Sequence, residues 1–422
     1  MKVDRLAALE ILDSRGFPTV EVVMEAGGKV ARASVPSGKS TGKFEALERR
    51  DGDKSRFQGK GVLGATHSVE DEIAGALVGK DLPPQAVLDK LLIDLDGTPN
   101  KSRLGANAIL GVSMACARLW AAVEGQPLYR SLGGEEANLL PVPCFNVLNG
   151  GAHADNPLDW QEFMIVPAGL PSFAEALRAG AETYHKLAAI LKEGDLSISV
   201  GDEGGFAPDI TYPEEALDLL VEAIQGAGYK PGKDIFIALD PAASGFYKKG
   251  NYTFAEESMD ARGMTSLYKS WLGKYPIISI EDGLAEDDWD GWVHLTRETG
   301  AQVQLVGDDI FVSDQARVRQ AMTADMANAV LLKPNQIGSL SEIIATARVA
   351  QHGGFRCMMS HRSGETQDDF IADLAVALGV GQIKSGAPAR GERVAKYNQL
   401  LRIERELGAK ARFAGPAAFR GK

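Results

Sequence analysis

Cysteine is scarce in this sequence, which excludes a small scaffold held together by disulfides. The 422 residues include three cysteines, Cys116, Cys144 and Cys357, which are far apart and form no CxxC pair. An odd number of isolated cysteines in apolar runs is typical of reduced thiols in a cytoplasmic protein. We therefore expect a cytoplasmic location.

An excess of positive charge is also lacking. The chain has 45 lysines and arginines against 57 aspartates and glutamates, which gives a formal net charge of -12. A general binder of nucleic acid needs a basic face, so we expect no nucleic-acid partner. The negative total does not exclude a small acidic substrate, because a few lysines or metal ions can reverse the field locally.

Long uninterrupted apolar runs are missing as well. Asp4 and Glu10 interrupt the first residues, where a signal peptide needs an apolar stretch. A membrane-spanning helix needs about 18 consecutive apolar residues, and we find no such run. We therefore expect neither export nor association with a membrane.

What the sequence does contain begins with a change from strand-like to helix-like patterning. Alternating apolar residues at 19–24 and 29–35 flank a Gly-Gly turn and predict a small antiparallel sheet. Helical periodicity follows in three segments, 62–78, 84–95 and 106–123. A sheet followed by helices predicts an α+β domain over residues 1–132, and the polar segment 133–138 predicts a linker.

Residues 139–422 alternate short apolar runs with longer amphipathic stretches, which is typical of repeated βα units. The fold class we predict is α/β, with a C-terminal TIM-like β/α barrel preceded by the smaller α+β domain. Six of the short runs end in a polar residue, namely Asp240, Glu281, Asp308, Lys333, His361 and Lys384. Because the active site of a parallel barrel lies at the C-terminal ends of its strands, we expect these six side chains at one mouth.

The residue types at that mouth favour a divalent metal and an acidic substrate. Asp240, Glu281 and Asp308 offer hard oxygen ligands, which suit magnesium better than zinc. Lys333 and Lys384 follow on later strands, where one could act as a base and the other could hold a carboxylate. Arg362 and Ser363, directly after His361, offer a guanidinium and a hydroxyl that fit a phosphate group.

Two further carboxylates are candidates for acid chemistry. Glu203 follows the apolar run 197–200 in a glycine-rich segment, so we expect it at another strand end. Glu162, preceded by Gln161, comes just before the apolar run 163–166 and so lies at the start of a strand.

These segments closely resemble the enolases, and the similarity extends over nearly the whole chain. The motifs that carry it are Asp13-Ser14-Arg15-Gly16, Ser279-Ile280-Glu281-Asp282-Gly283, Gln336-Ile337-Gly338-Ser339-Leu340, Ser360-His361-Arg362-Ser363-Gly364-Glu365-Thr366 and Arg393-Val394-Ala395-Lys396-Tyr397-Asn398-Gln399. The resemblance implies a lyase that reversibly dehydrates 2-phospho-D-glycerate to phosphoenolpyruvate in glycolysis and gluconeogenesis. It also implies two magnesium ions in each active site, the second arriving with the substrate, and a homo-oligomer, dimeric or octameric.

The resemblance assigns roles by position. It implies that Asp240, Glu281 and Asp308 hold the first magnesium, and that Ser40 binds the second magnesium near the substrate. Lys333 would be the general base, with Glu203 and Glu162 acting together as the acid and His361 near the leaving group. Residues expected to contact the substrate are Ser40, His153, Gln161, Arg362, Ser363 and Lys384, with His153 on a mobile loop over the phosphate. The pair Glu203 and Glu162 is expected to share protons, with the charge of Glu162 keeping Glu203 protonated.

Some positions depart from the family pattern. Lys39 stands where enolases usually have alanine, and Pro241 and Gly245 replace a cysteine and a glutamate that are common there. Lys39 also makes a partial match to a nucleotide-binding P-loop, but Ala33 occupies the place of the required first glycine. An alternative is therefore an enolase-like paralogue with another substrate, such as a carboxyphosphonoenolpyruvate synthase. A non-catalytic scaffold would be expected to have lost a ligand, an acid or the base, and none is lost.

Overall fold

The structure is a computed structural model that describes residues 1–39 and 42–419. Its first part is an antiparallel sheet covered by helices. The sheet has the order β1-β2-β3, and its strands are β1 (Val3–Leu12), β2 (Pro18–Ala26) and β3 (Lys29–Ser34). The helices are α1 (Leu63–His67), α2 (Ala74–Leu77), α3 (Gln85–Asp96), α4 (Ala106–Glu124) and α5 (Leu128–Gly133). A π-helical turn, Ser68–Ile73, joins α1 to α2, so the predicted helix at 62–78 forms with an irregular middle.

Helix α4 is the centre of this first part. It packs on β2 and β3, and its small residues allow close contact, since a Cβ at Gly111 would lie 2.6 Å from Cγ2 of Val22. With 19 residues it is long and apolar enough to cross a membrane by length and composition, although Asn107, Ser113 and Arg118 interrupt its apolar run. The helix is largely buried inside the protein, which is the ordinary situation of a core helix.

The second part is built on a closed barrel of eight strands. The barrel order is β11-β12-β13-β14-β15-β5-β6-β7. The strands of this part are β4 (Leu139–Leu140), β5 (Val142–Asn149), β6 (Glu162–Val166), β7 (Phe236–Asp240), β8 (Tyr247–Lys248), β9 (Asn251–Phe254), β10 (Glu257–Met259), β11 (Ile277–Glu281), β12 (Gln304–Gly307), β13 (Ala329–Leu332), β14 (Arg356–Ser360), β15 (Gly381–Lys384) and β16 (Arg412–Phe413). The predicted barrel is confirmed, and the six predicted polar residues end or directly follow β7 and β11 to β15.

Helices surround the barrel, and several begin at a side chain that accepts a backbone N–H, as Ser172, Asp260, Asp314 and Ser339 do. They are α6 (Phe173–Glu193), α7 (Pro213–Gly226), α8 (Ala261–Lys274), α9 (Trp289–Thr299), α10 (Gln315–Thr323), α11 (Pro334–Ile337), α12 (Leu340–His352), α13 (Phe370–Leu378) and α14 (Gly391–Leu407).

One strand of the barrel runs against the others, which the repeated βα pattern did not predict. Strand β6 is antiparallel to both β5 and β7. Its first residue, Glu162, is therefore paired with Asn149 at the end of β5 and with Asp240 at the end of β7. A carboxylate at the start of this strand thus reaches the same mouth as the residues at the ends of the parallel strands.

The expectation for Glu203 was wrong in its local structure. The run 197–200 forms no strand, and Val200 makes only an isolated bridge to Phe206. Glu203 lies instead in the loop between α6 and α7, and this loop bends back onto β5 through the bonds from Phe206 N to Val147 O and from Asn149 N to Phe206 O. The loop still delivers the carboxylate to the barrel mouth.

Candidate active site

The mouth of the barrel contains a cavity with a volume of about 540 Å³. The predicted site residues that line it are His153, Gln161, Glu162, Glu203, Asp240, Asp308, Lys333, His361, Arg362, Ser363 and Lys384. Glu281 is buried and contacts Lys384. Ser40, predicted to bind both metal and substrate, lies outside the described residues.

Lys384 links three of the carboxylates. Its side chain is 2% exposed, and Nζ lies 2.7 Å from Oε1 of Glu281, 3.1 Å from Oδ2 of Asp240 and 3.2 Å from Oε2 of Glu162. Burial alone would lower the pKa of this ammonium, but the three carboxylates outweigh it and raise the pKa well above its usual value. Lys384 is therefore a firmly charged cation at the centre of the mouth.

Lys333 and Asp308 form a second charged pair on the neighbouring wall. The Lys333 ammonium donates to Oδ2 of Asp308, while Nε2 of Gln336 donates to Oδ1 of the same carboxylate at 2.8 Å. Burial opposes the charge on both partners, yet Lys333 lowers the pKa of Asp308 and Asp308 raises the pKa of Lys333. Gln336 belongs to a family motif, but the sequence had given it no role.

Glu162 and Glu203 face each other across His153. The Nδ1 atom of His153 lies 3.6 Å from Oε1 of Glu162 and 3.7 Å from Oε1 of Glu203. Burial and then the charge of Glu203 raise the pKa of Glu162, whereas His361 and His153 overcome burial and lower the pKa of Glu203. The directions of these two pKa shifts are opposite to those expected from the sequence, which assigned the raised pKa to Glu203. The pair still works as a coupled unit.

Two residues that the sequence had not singled out hold Glu203 and its neighbour. Asn146, on β5, donates from Nδ2 to Oε2 of Glu203 at 2.9 Å. Nε2 of His361 lies 3.3 Å from the same oxygen, and Nδ1 of His361 lies 2.6 Å from a guanidinium nitrogen of Arg393. Arg393 stands in a quoted family motif, but only the folded chain brings it against the barrel mouth.

Arg362 and Ser363 lie where the first part of the chain meets the barrel. Arg362 donates to Glu45 at 3.0 and 3.2 Å and to Oδ1 of Asn335 at 2.9 Å. The Ser363 hydroxyl accepts the backbone N–H of Lys39 at 2.8 Å. The predicted phosphate-binding residues are thus positioned partly by Lys39 and Glu45 of the first domain.

The departures from the family pattern divide into two groups. Pro241 and Gly245 line the cavity itself. The Lys39 ammonium instead lies 3.0 Å from Oδ2 of Asp202, outside the cavity, with 46% of its side chain exposed. In this structure Lys39 therefore joins the first domain to the loop that carries Glu203, and it adds no cation to the cavity.

The chemistry of the mouth fits a divalent metal. Oε2 of Glu281 is buried without a hydrogen-bond partner among the described residues, and burial together with Asp240 raises the pKa of Glu281. Such an excess of buried carboxylate is what a hard cation with oxygen ligands neutralises. The ligand atoms of Asp282, Asp308 and Asp309 lie within 4.8 Å of one another, as do those of His153, Glu162 and Glu203. The predicted metal ligands are Asp240, Glu281 and Asp308. Among the described residues, the Lys384 ammonium lies between two of them, Asp240 and Glu281.

Buried carboxylates, two largely buried lysines, and an arginine and a serine beside them at a barrel mouth are the groups with which an enzyme would hold a divalent metal and a small acidic molecule. Comparison with known proteins agrees. Residues 3–132 match the family model of the enolase N-terminal domain, and residues 137–421 match that of the enolase C-terminal TIM barrel domain. The chain is also 57% identical over 418 residues to an enolase of Acidothermus cellulolyticus (strain ATCC 43068 / DSM 8971 / 11B), covering 99% of this chain and 97% of that protein. The chain belongs to the enolase family and is a lyase, a phosphopyruvate hydratase.

Proposed function

We propose that the protein catalyses the magnesium-dependent, reversible dehydration of 2-phospho-D-glycerate to phosphoenolpyruvate in glycolysis and gluconeogenesis. The observation that carries this proposal is the separation of the candidate base from the candidate acid within one mouth. Lys333 pairs with Asp308 and Glu203 lies beside His361, while Lys384 lies between Glu162 and Glu281. A base and an acid at different places in one site are what removal of a proton and of a hydroxyl from adjacent carbons requires.

Binding and orientation of the substrate are the first task of this site. Arg362 and Ser363 provide a guanidinium and a hydroxyl for the phosphate, and Lys384 provides a fixed ammonium for the carboxylate. The metal would be held by Asp240, Glu281 and Asp308. Bound divalent ions would supply positive charge against the negative charge that develops on the substrate carboxylate.

Lys333 removes the proton from the carbon next to that carboxylate. It must be neutral to do so. Burial, Arg362 and Lys384 lower its pKa, but the charge of Asp308 outweighs them and raises it. A divalent ion held by Asp308 would offset that negative charge and so favour the neutral lysine. The electron pair of the broken C–H bond first moves onto the substrate carboxylate, and it then forms the double bond as the C–O bond of the 3-hydroxyl breaks. The coupled pair of Glu162 and Glu203 supplies one proton to that hydroxyl, which leaves as water.

An enolase-like paralogue, such as a carboxyphosphonoenolpyruvate synthase, is the alternative that an observation favours. Pro241 and Gly245 both lie in the cavity wall, so these departures can influence which substrate fits. A non-catalytic scaffold is the weaker alternative, because the described acid, base and ligand positions are all filled.

The decisive experiment is an assay of the purified protein with magnesium and 2-phosphoglycerate, in which the enol product is followed by ultraviolet absorbance. The proposed function predicts turnover that stops when a chelator is added. No turnover by protein that still binds magnesium would refute it, and turnover of a phosphonate analogue in preference to 2-phosphoglycerate would support the paralogue.

We further propose a cytoplasmic homo-oligomer, dimeric or octameric, without nucleic-acid or membrane partners. The location is supported by the thiols of Cys116, Cys144 and Cys357, which are buried, and burial raises the pKa of the Cys116 thiol to about 12. Light scattering coupled to size-exclusion chromatography distinguishes the two assembly states from a monomer of 45.0 kDa.

A further inference from the structure

Arg393 is a buried arginine at the start of α14, and its side chain is 0% exposed. One terminal nitrogen lies 2.6 Å from Nδ1 of His361 and donates to the carbonyl oxygen of Arg362 at 2.6 Å. The other donates to the carbonyl oxygens of Asp202 at 2.9 Å and Ser363 at 2.7 Å. One guanidinium thus ties together the two loops that carry Glu203 and the phosphate-binding residues.

The contact with His361 has a definite direction. A guanidinium has five N–H donors and no acceptor, and it stays protonated in proteins. Nδ1 of His361 must therefore accept the hydrogen bond, which leaves this nitrogen without a proton. A neutral imidazole with a bare Nδ1 carries its proton on Nε2.

The Nε2 atom is the ring nitrogen on the side of Glu203. It is buried, has no well-formed hydrogen bond among the described residues, and lies 3.3 Å from Oε2 of Glu203, and His361 lines the cavity. An Nε2–H here can donate to an oxygen in the cavity. It cannot accept a proton at that position, because the nitrogen already has one.

We propose that Arg393 is a positioning residue that fixes His361 as the neutral tautomer protonated at Nε2. His361 is thereby a hydrogen-bond donor toward Glu203 and toward the leaving hydroxyl of the substrate, and it is not a carrier of the transferred proton. This inference rests on the proposed function for the identity of the hydroxyl, while the tautomer itself does not depend on the substrate.

The charged groups around His361 are consistent with a neutral ring. Burial is the largest effect and, with the cations Arg393 and Lys384, it lowers the pKa of His361 to about 3, against the opposing charge of Glu203. The transferred proton therefore has to come from the carboxylate pair, Glu162 and Glu203.

The tautomer can be measured directly on the whole protein. The chain has six histidines, so nitrogen-15 labelling of histidine gives few imidazole signals, and a His361→Gln variant identifies the signal of His361. We expect a neutral ring protonated at Nε2 throughout the range from about pH 6 to about pH 9, well above the lowered pKa. A ring protonated at Nδ1, or a charged ring in that range, would overturn the proposal without any variant of Arg393.

Arg393→Lys tests the positioning role. A lysine keeps the positive charge, but one ammonium cannot reproduce the four short contacts made by the two ends of the guanidinium. We expect His361 to show a mixture of tautomers, with kcat falling about 100-fold and KM changing far less, because the misplaced group acts in the reaction rather than in binding. Arg390→Lys is the matched control, since Arg390 also contacts the Glu203 loop, through Gly201 O at 3.3 Å, but does not contact His361 among the described contacts.

The outcomes separate this proposal from the proposed function. A wild-type protein without dehydratase activity would refute the function, and the histidine spectrum would still decide the tautomer. A folded Arg393→Lys protein with wild-type kcat and an unchanged His361 signal would refute the positioning role. If Arg393→Lys does not fold, the wild-type spectrum alone confirms or refutes the tautomer.

Discussion

Replacing Lys384 by methionine tests whether this ammonium and a divalent metal neutralise the same carboxylates. The wild-type Nζ lies within 3.2 Å of Glu162, Asp240 and Glu281 at a position that is 2% exposed. Methionine fills similar space but has no charge. The variant therefore leaves three buried carboxylates facing one another, and we expect the metal-free protein to lose stability.

The size of the loss follows from the burial. Removing one partner of a buried ion pair costs about 3 to 5 kcal/mol, and we take the lower end because the pKa values of Glu162 and Glu281 are already raised, so that each can take up a proton. Unfolding entropy of about 2.1 cal/mol/K per residue gives roughly 0.9 kcal/mol/K for the chain of 422 residues. A loss of about 3 kcal/mol then lowers Tm by roughly 3 °C if the chain unfolds as one unit.

Calorimetric unfolding in chelator and in saturating magnesium measures this effect. We expect magnesium to raise the Tm of Lys384→Met by more than it raises the Tm of the wild type, because the ion then neutralises carboxylates that lack their ammonium. Lys396→Met is the control, since Lys396 is also buried and donates to Glu365 at 2.7 Å, and neither of these two residues lines the cavity. An equal magnesium shift in all three proteins would show that Lys384 and the metal do not share these ligands.

Three smaller predictions follow from other contacts. Lys39→Ala should raise KM by at most about fivefold, since an exposed ion pair contributes about 1 kcal/mol or less. Asp202→Asn should have the same effect, and the double variant should show no further increase. A larger effect, or additive effects of the two substitutions in steady-state kinetics, would contradict this. Asp308→Asn should raise the magnesium concentration needed for half-maximal activity by at least about tenfold, and an unchanged magnesium titration would exclude Asp308 as a ligand. Burial, and after it the charge of Asp369, raises the pKa of Asp373 to about 6 from 3.8. The protonated carboxyl therefore stabilises the folded state below about pH 4, by roughly 3 kcal/mol, and this stabilisation is lost as the pH rises through about 6. Urea unfolding of Asp373→Asn should lack this pH dependence, and a curve parallel to that of the wild type would refute it.

The sequence predicted those barrel strands whose C-terminal ends are marked by a local pattern of residues. An apolar run followed by a polar residue is a local pattern, and for Asp240, Glu281 and Lys333 this pattern placed the side chain at the mouth. Strand direction is not a local pattern. Strand β6 is a short apolar run like the parallel strands of the barrel, so only its pairing with β5 and β7 shows that Glu162 begins the strand at the mouth.

The contacts that orient the site could not be predicted for a related reason. Arg393 and His361 are 32 residues apart and lie on different elements, while Glu203 reaches Asn146 over a separation of 57 residues. Such contacts depend on how the loops pack against the folded barrel, and no residue spacing in the sequence predicts them. Likewise, Gln336 stands in a family motif, but only the folded structure shows that its side chain donates a hydrogen bond to Asp308, because α11 directly follows β13 at the barrel mouth.

The most direct test of the division of labour in this site is exchange of the substrate C2 proton with deuterium oxide, measured by NMR with 2-phosphoglycerate and magnesium. The account predicts that Lys333→Ala abolishes the exchange, because this variant lacks the base. Glu203→Gln should still exchange the proton while forming almost no phosphoenolpyruvate, because only the departure of the hydroxyl is blocked. Exchange at the wild-type rate in folded Lys333→Ala would contradict the assignment of Lys333 as the base.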